Sequence, residues 1–146
     1  MRALVSAWKE RGLRGLAVLA AALVDEVVPA PCSRLITFVP PDGDRSVKRG
    51  HHPAARLAGE LGIRWDLPVE ALLGRTRPLR PQRGLQRAER RRNVRGAFRA
   101  GEIHGRVLLV DDVYTTGATV GAASSALRAA GASRVDALTF ARAVRR

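Results

Sequence analysis

Cysteine is nearly absent from this chain: of 146 residues, only Cys32 is one. A single thiol closes no internal disulfide and builds no cysteine-based zinc site, and a cytoplasmic address is the default for such a chain. Aromatic side chains are scarce too, at 4%, so the core must be assembled from Ala, Val and Leu. Acids are half as numerous as bases, 13 against 26, and only Lys9 and Lys48 are lysines. A GC-rich genome accounts for Arg in place of Lys but not for the shortage of acids. The net charge of +13 favours anionic partners. Apolar runs are short. Residues 15–24 (GLAVLAAALV) follow a basic start and imitate a signal peptide, but they cannot span a bilayer, and Asp25-Glu26 follows at once. Leu16, Leu19, Ala20, Leu23 and Val27 mark one face, so a core-packed amphipathic helix without membrane attachment is expected.

What remains is an ordinary globular inventory. Hydrophobic residues make up 46% of the chain, and the length suits one domain over 1–146. No repeat, low-complexity tract or dividing linker is visible. A short helix is expected at 3–10 and another at 15–28, closed by Pro29-Ala30-Pro31. Leu35 to Val39 reads as a buried strand running into a turn at Pro40-Pro41-Asp42-Gly43-Asp44. Pro53 opens a helix that Gly62 would end. Pro68 to Leu73 reads as a strand, and Ala97 to Arg99 as a short one. Val135 to Phe140 reads as the last strand. Strands alternating with helices predict an α/β fold, an open parallel sheet with helices on both faces.

Residues 75–95 differ from the rest. Arg75, Arg77, Arg80, Arg83, Arg87, Arg90, Arg91, Arg92 and Arg95 crowd this stretch, with Glu89 as its one acid. Pro78, Pro81 and Gly84 exclude a regular helix from its first half, whereas Ala88 to Asn93 can form a turn or more. Like charges repel, so a basic flexible loop over 75–96 is expected to close on an anion. By charge alone, a solvated loop with no ligand fits equally well.

The chain is organised around Val107-Leu108-Leu109-Val110-Asp111-Asp112-Val113-Tyr114-Thr115-Thr116-Gly117-Ala118-Thr119. The first four residues read as a buried strand and the adjacent carboxylates as its end. A turn of small and hydroxylated residues follows, then a helix with Val120, Ala123, Leu127 and Ala130 at helical spacing. Thr119 is the expected N-cap and Gly131 the expected stop. Ligands of open α/β sheets bind beyond the carboxyl ends of strands. A small-residue turn at a helix N-terminus suits a phosphate. Two carboxylates suit the vicinal hydroxyls of a sugar, so a sugar phosphate is the matching ligand.

These residues closely resemble the phosphoribosyl pyrophosphate (PRPP) signature of type I phosphoribosyltransferases. The resemblance implies that Asp111 and Asp112 face the ribose hydroxyls, and that Thr115, Thr116, Gly117, Ala118 and Thr119 cradle the 5′-phosphate. The block from Pro81 to Phe98, through Gln82, Leu85, Arg90, Asn93 and Phe98, resembles the segment upstream of that motif in ComF-type competence proteins. Before it, Lys9 and Gly12 resemble the start of that family's transferase domain. Arg49, Gly50 and Ala54 match an RGFNQA-like segment, and Val39-Pro40-Pro41-Asp42 stands where the family has its pyrophosphate-binding loop. Many ComF-like proteins carry an N-terminal zinc ribbon; either a short homologue without it or a start placed too late is expected here. Cys32 with His51 and His52 lacks the spacing and ligand count of a metal site, so no protein-held metal is expected. His51 and His52 read as loop residues near the pyrophosphate, His104 as a turn residue, and Trp8 and Trp65 as packing residues.

The resemblance implies transfer of a phosphoribosyl group from PRPP, with Mg²⁺ entering through PRPP and pyrophosphate leaving. Asp111, Asp112 and Arg49 carry the catalytic roles, and Pro40 and Pro41 join the binding site. No residue identifies the acceptor. Two other classes stay open: a non-catalytic protein that binds PRPP or a nucleotide 5′-phosphate, and a component of DNA uptake that meets single-stranded DNA or a helicase partner. An oligomer is compatible with each. With so few aromatic rings, single-strand binding would rest on charge alone.

Overall fold

A computed structural model describes residues 14–41, 52–77 and 87–142. The helix at 3–10, Trp8, Lys9, Gly12, Arg49, Gly50, His51, Gln82 and Leu85 lie outside the described residues, as does the centre of the basic loop.

The elements run in the order α1 (Arg14–Val27), β1 (Leu35–Phe38), α2 (Pro53–Trp65), β2 (Leu73–Arg75), α3 (Arg87–Val94), β3 (Phe98–Ala100), β4 (Gly105–Tyr114), α4 (Ala118–Ala129) and β5 (Ala132–Arg142). One sheet has the order β1-β4-β5, with both pairings parallel. Leu35 faces Val107 and Phe38 faces Val110 in register, and Asp111 pairs with Thr139 on the other side. The strands expected around 36–39, 107–111 and 135–140 therefore lie in one parallel sheet. The segment at 69–73 does not form the expected strand there. Val69 alone bridges to Ile36, held by Ile36 N–H on Pro68 O and Glu70 N–H on Ile36 O. The chain then turns away, and Leu73–Arg75 pairs antiparallel with β3 in a separate two-stranded ribbon. Pro68 supplies no N–H to a ladder, and Leu73 is buried in the other core.

Alternation along β4 explains why its apolar run is continuous. Leu108 and Val110 pack with Ile36, Leu57 and Leu61 beneath α1 and α2. Val107 and Leu109 pack with Leu35, Ala123 and Leu127 beneath α4. Both faces of the sheet are covered, so neither face of the strand is polar.

Two helices depart from expectation. In α1 the buried residues are Ala17, Ala20, Ala21 and Val24, one position round from the predicted face. Leu19, Leu23 and Val27 are exposed, at 51%, 46% and 78%. Spacing alone cannot tell which apolar stripe is buried, and the small residues allow α1 to approach α2 closely. Helix α2 does not end at Gly62 but runs to Trp65, capped by Asp66 in the left-handed region (φ 51°). A side chain at Gly62 would run into Val69 and the Leu67 carbonyl, so this glycine serves packing rather than termination. Trp65 is a packing residue, as expected, and its Nε1–H also donates to Asp25 Oδ1 at 2.6 Å. Trp65→Phe removes that bond and should lower stability by about 1–2 kcal/mol, read from denaturant midpoints. Among the described residues no helix is long and apolar enough to cross a membrane.

Candidate functional site

The site forms where β4 outruns its neighbour. Strand β1 ends at Phe38, opposite Val110, and one more bond, Val39 N–H to Val110 O at 3.0 Å, closes that side. Beyond this point β4 continues to Tyr114, because β5 still pairs with it through Val113–Ala141 and Tyr114–Arg142. Asp111 and Asp112 therefore do not stand at the strand's tip, as expected, but inside it, at the first positions past β1. Both are half-buried. Asp111 Oδ1 accepts the Asp112 backbone N–H at 2.9 Å, which fixes one carboxylate against its own strand.

Thr115 to Gly117 form the turn into α4. Gly117, not Thr119, is the N-cap, with φ 72° and ψ 1°. That conformation suits glycine, and any β-carbon there would strike the Tyr114 ring and hydroxyl. The Thr116 hydroxyl faces the Ala118 N–H at 3.4 Å. Thr119 falls within the first helical turn instead. Gly131 sits past the end of α4 with φ 109°, in its expected place. The turn thus offers small side chains and a helix N-terminus beside two carboxylates.

Pro40 and Pro41 follow directly from the end of β1 and are half-buried. Arg75 reaches them from the ribbon: its Nε donates to Pro41 O at 2.7 Å and its Nη2 to Pro40 O at 2.8 Å. Arg75 is thus a strand residue and not one of the loop arginines. Arg77 is engaged as well, donating to Asn93 O at 2.8 Å. Ala88 to Asn93 fall in α3, in line with the turn or more expected there. A cavity of about 700 Å³ lies behind the turn, between Val94 and Phe98 on one side and Thr116, Gly117, Gly121 and Ala122 on the other.

His52 stands just before α2, close to the end of β1. It is the N-cap of α2, where Nδ1 accepts the Ala55 N–H at 2.9 Å and the ring meets Phe38 edge-on. Pro53 sits in the first turn of α2, as expected. His104 lies in the exposed connection between β3 and β4, beside Glu102, and Cys32 is an exposed free thiol. Among the described residues no group of three or more His, Cys, Asp or Glu is placed to hold a metal ion. Arg49 lies outside the described residues. Sequence reasoning missed Tyr114 and the fixed position of Arg75. A bulky ring directly before Thr-Thr-Gly was a visible signal for Tyr114, whereas nothing distinguished Arg75 from its basic neighbours.

No protein-family model matches the chain. Among curated proteins it is 33% identical over 142 residues to Competence protein F of Haemophilus influenzae, a match that takes in 93% of this chain. Competence protein F is thus similar to this chain over most of the chain's length. The chain spans 62% of the length of that protein. Among solved structures, glutamine PRPP amidotransferase from B. subtilis, complexed with ADP and GMP, is similar over 87% of this chain and 25% of its own. The TM-score is 0.54 and the identity 25%. TT1426 from Thermus thermophilus is similar over 84% of this chain and 72% of its own, with a TM-score of 0.51 and 20% identity. The fold is that of the type I phosphoribosyltransferases.

Proposed function

We propose that this protein binds PRPP beyond β1 and transfers its phosphoribosyl group to an acceptor. The observation that carries this function is the joining, in one strand and turn, of Asp111 and Asp112 with the small-residue entry to α4. The carboxylates accept hydrogen bonds from the ribose hydroxyls. The Thr115–Thr119 backbone and hydroxyls receive the 5′-phosphate at the positive end of the helix. The acceptor's lone pair forms the new bond to the anomeric carbon while the bond from that carbon to pyrophosphate oxygen breaks, and pyrophosphate departs with the electron pair. Half-buried carboxylates are hard oxygen donors, the type that Mg²⁺ takes together with substrate phosphates. Bound with PRPP, Mg²⁺ supplies charge neutralisation for the leaving group. Pro40, Pro41 and Arg49 belong to the leaving-group side.

Calorimetric titration of PRPP·Mg²⁺, followed by pyrophosphate release against a panel of nucleobases, tests this. Saturable binding and acceptor-dependent release are expected. No binding of PRPP or of a nucleotide 5′-phosphate at millimolar concentration would overturn it.

One observation favours a second function. The net charge of +13, together with the name of the Haemophilus relative, suits a non-catalytic nucleotide-binding protein that acts in DNA uptake through single-stranded DNA or a helicase. Binding of single-stranded DNA that weakens steeply with salt, with no pyrophosphate release, would select it.

A further inference from the structure

We infer that Arg75 is a positioning residue for the pyrophosphate half of the site, acting through the Pro40–Pro41 segment; this rests on the PRPP reading above. Three contacts fix its guanidinium. Nε and Nη2 donate to the carbonyls of Pro41 and Pro40 at 2.7 and 2.8 Å, and Cζ lies 4.9 Å from the centre of the Phe98 ring. Phe98 is buried and stands directly across the ribbon from Arg75. The planar fork matches two successive carbonyls while its face stacks on the ring, a combination that a lysine cannot reproduce.

The Pro40–Pro41 segment needs such a tie. Its two prolines have no N–H to give to a neighbouring strand, and β1 has already ended at Phe38. Two carbonyls left facing a polyanion would repel it. Arg75 covers both oxygens and brings a positive charge to the same place. The ribbon that carries Arg75 is itself anchored. Thr76 bonds Ala97 O through its N–H and Gly96 O through its hydroxyl, and Arg77 bonds Asn93 O. Pro40 and Pro41 are thereby tied to the segment around α3. Asp111, Asp112 and the Thr115–Gly117 turn are held by other means, through β5 and α4. The two halves of a PRPP molecule therefore meet groups held by different direct hydrogen bonds, although Phe98 and Thr116 line one cavity.

That separation gives the test. Wild type, Arg75→Met and Arg75→Lys are titrated with pyrophosphate·Mg²⁺, PRPP·Mg²⁺ and ribose 5-phosphate, and their melting temperatures are measured alongside. Arg75→Met should weaken pyrophosphate and PRPP binding by about fivefold or more and leave ribose 5-phosphate within about twofold. Arg75→Lys, which keeps the charge and can keep one carbonyl contact, should fall between. Retained ribose 5-phosphate binding also shows that the variant is folded; if Arg75→Met does not fold, Arg75→Lys carries the comparison. Unchanged pyrophosphate binding, or equal weakening of all three ligands, overturns the inference. Wild-type protein that binds ribose 5-phosphate but not pyrophosphate also overturns it, while sparing the sugar-phosphate site. Wild-type protein that binds neither PRPP nor ribose 5-phosphate overturns the PRPP reading, and this inference with it.

Discussion

Asp111→Asn and Asp112→Asn should each weaken PRPP·Mg²⁺ binding by about tenfold or more, because hydrogen bonds to charged groups are worth roughly 1.5–3 kcal/mol. The substitutions keep side-chain shape. Asparagine at 111 retains an oxygen able to accept the Asp112 N–H, a bond of 2.9 Å, so the local strand geometry has no reason to change. Stability should change little, because asparagine keeps the size of each aspartate and one accepting oxygen. A purely structural role predicts the reverse pattern, with melting temperature lost and ligand affinity kept. Calorimetric titration beside thermal unfolding separates the two.

Gly117→Ala should be damaging on both counts. The backbone at 117 stands at φ 72°, which costs an L-residue about 1–2 kcal/mol, and the new methyl group would meet three atoms of the Tyr114 side chain. A stability loss of about 2–3 kcal/mol is expected, with a phosphate affinity at least tenfold weaker as the turn moves. Adding Tyr114→Ala removes the collision but leaves the backbone strain, so the double variant should regain part of the lost stability and little of the affinity. Thermal unfolding of wild type and the two variants, with ribose 5-phosphate titrations, checks this. Full recovery in the double variant would show that φ at 117 matters less than the space beside it.

Much of this was legible in the chain because the local signals and the burial agree. The run from Val107 to Val110 is apolar at every position because both faces of β4 are covered, and Gly131 stops α4 through a left-handed backbone that few other residues adopt. The errors arose where a distant neighbour decides. Asp111 and Asp112 look like a strand's end from their polarity, yet β5 keeps pairing beyond them. Gly62 looks like a helix stop, yet its lack of a side chain answers Val69. Leu19 and Leu23 share helical spacing with the alanines that are buried, and spacing alone carries no direction. Arg75 looked like one arginine in a basic stretch until Phe98 and the Pro40–Pro41 carbonyls gave it an address.

The pairing of the sheet also divides the cost of assembling it. β4, α4 and β5 are consecutive, so their parallel pairing closes only the loop that contains α4. β1 must instead find a partner roughly seventy residues along the chain, as Leu35 does in Val107. Loop-closure entropy rises with the logarithm of length, and contacts so far apart slow folding. The larger entropic cost therefore falls on the edge that borders the candidate site. The C-terminal half of the sheet is bound by near neighbours in sequence, while the ledge past Val110 on which the ligand would rest takes shape only once β1 has docked.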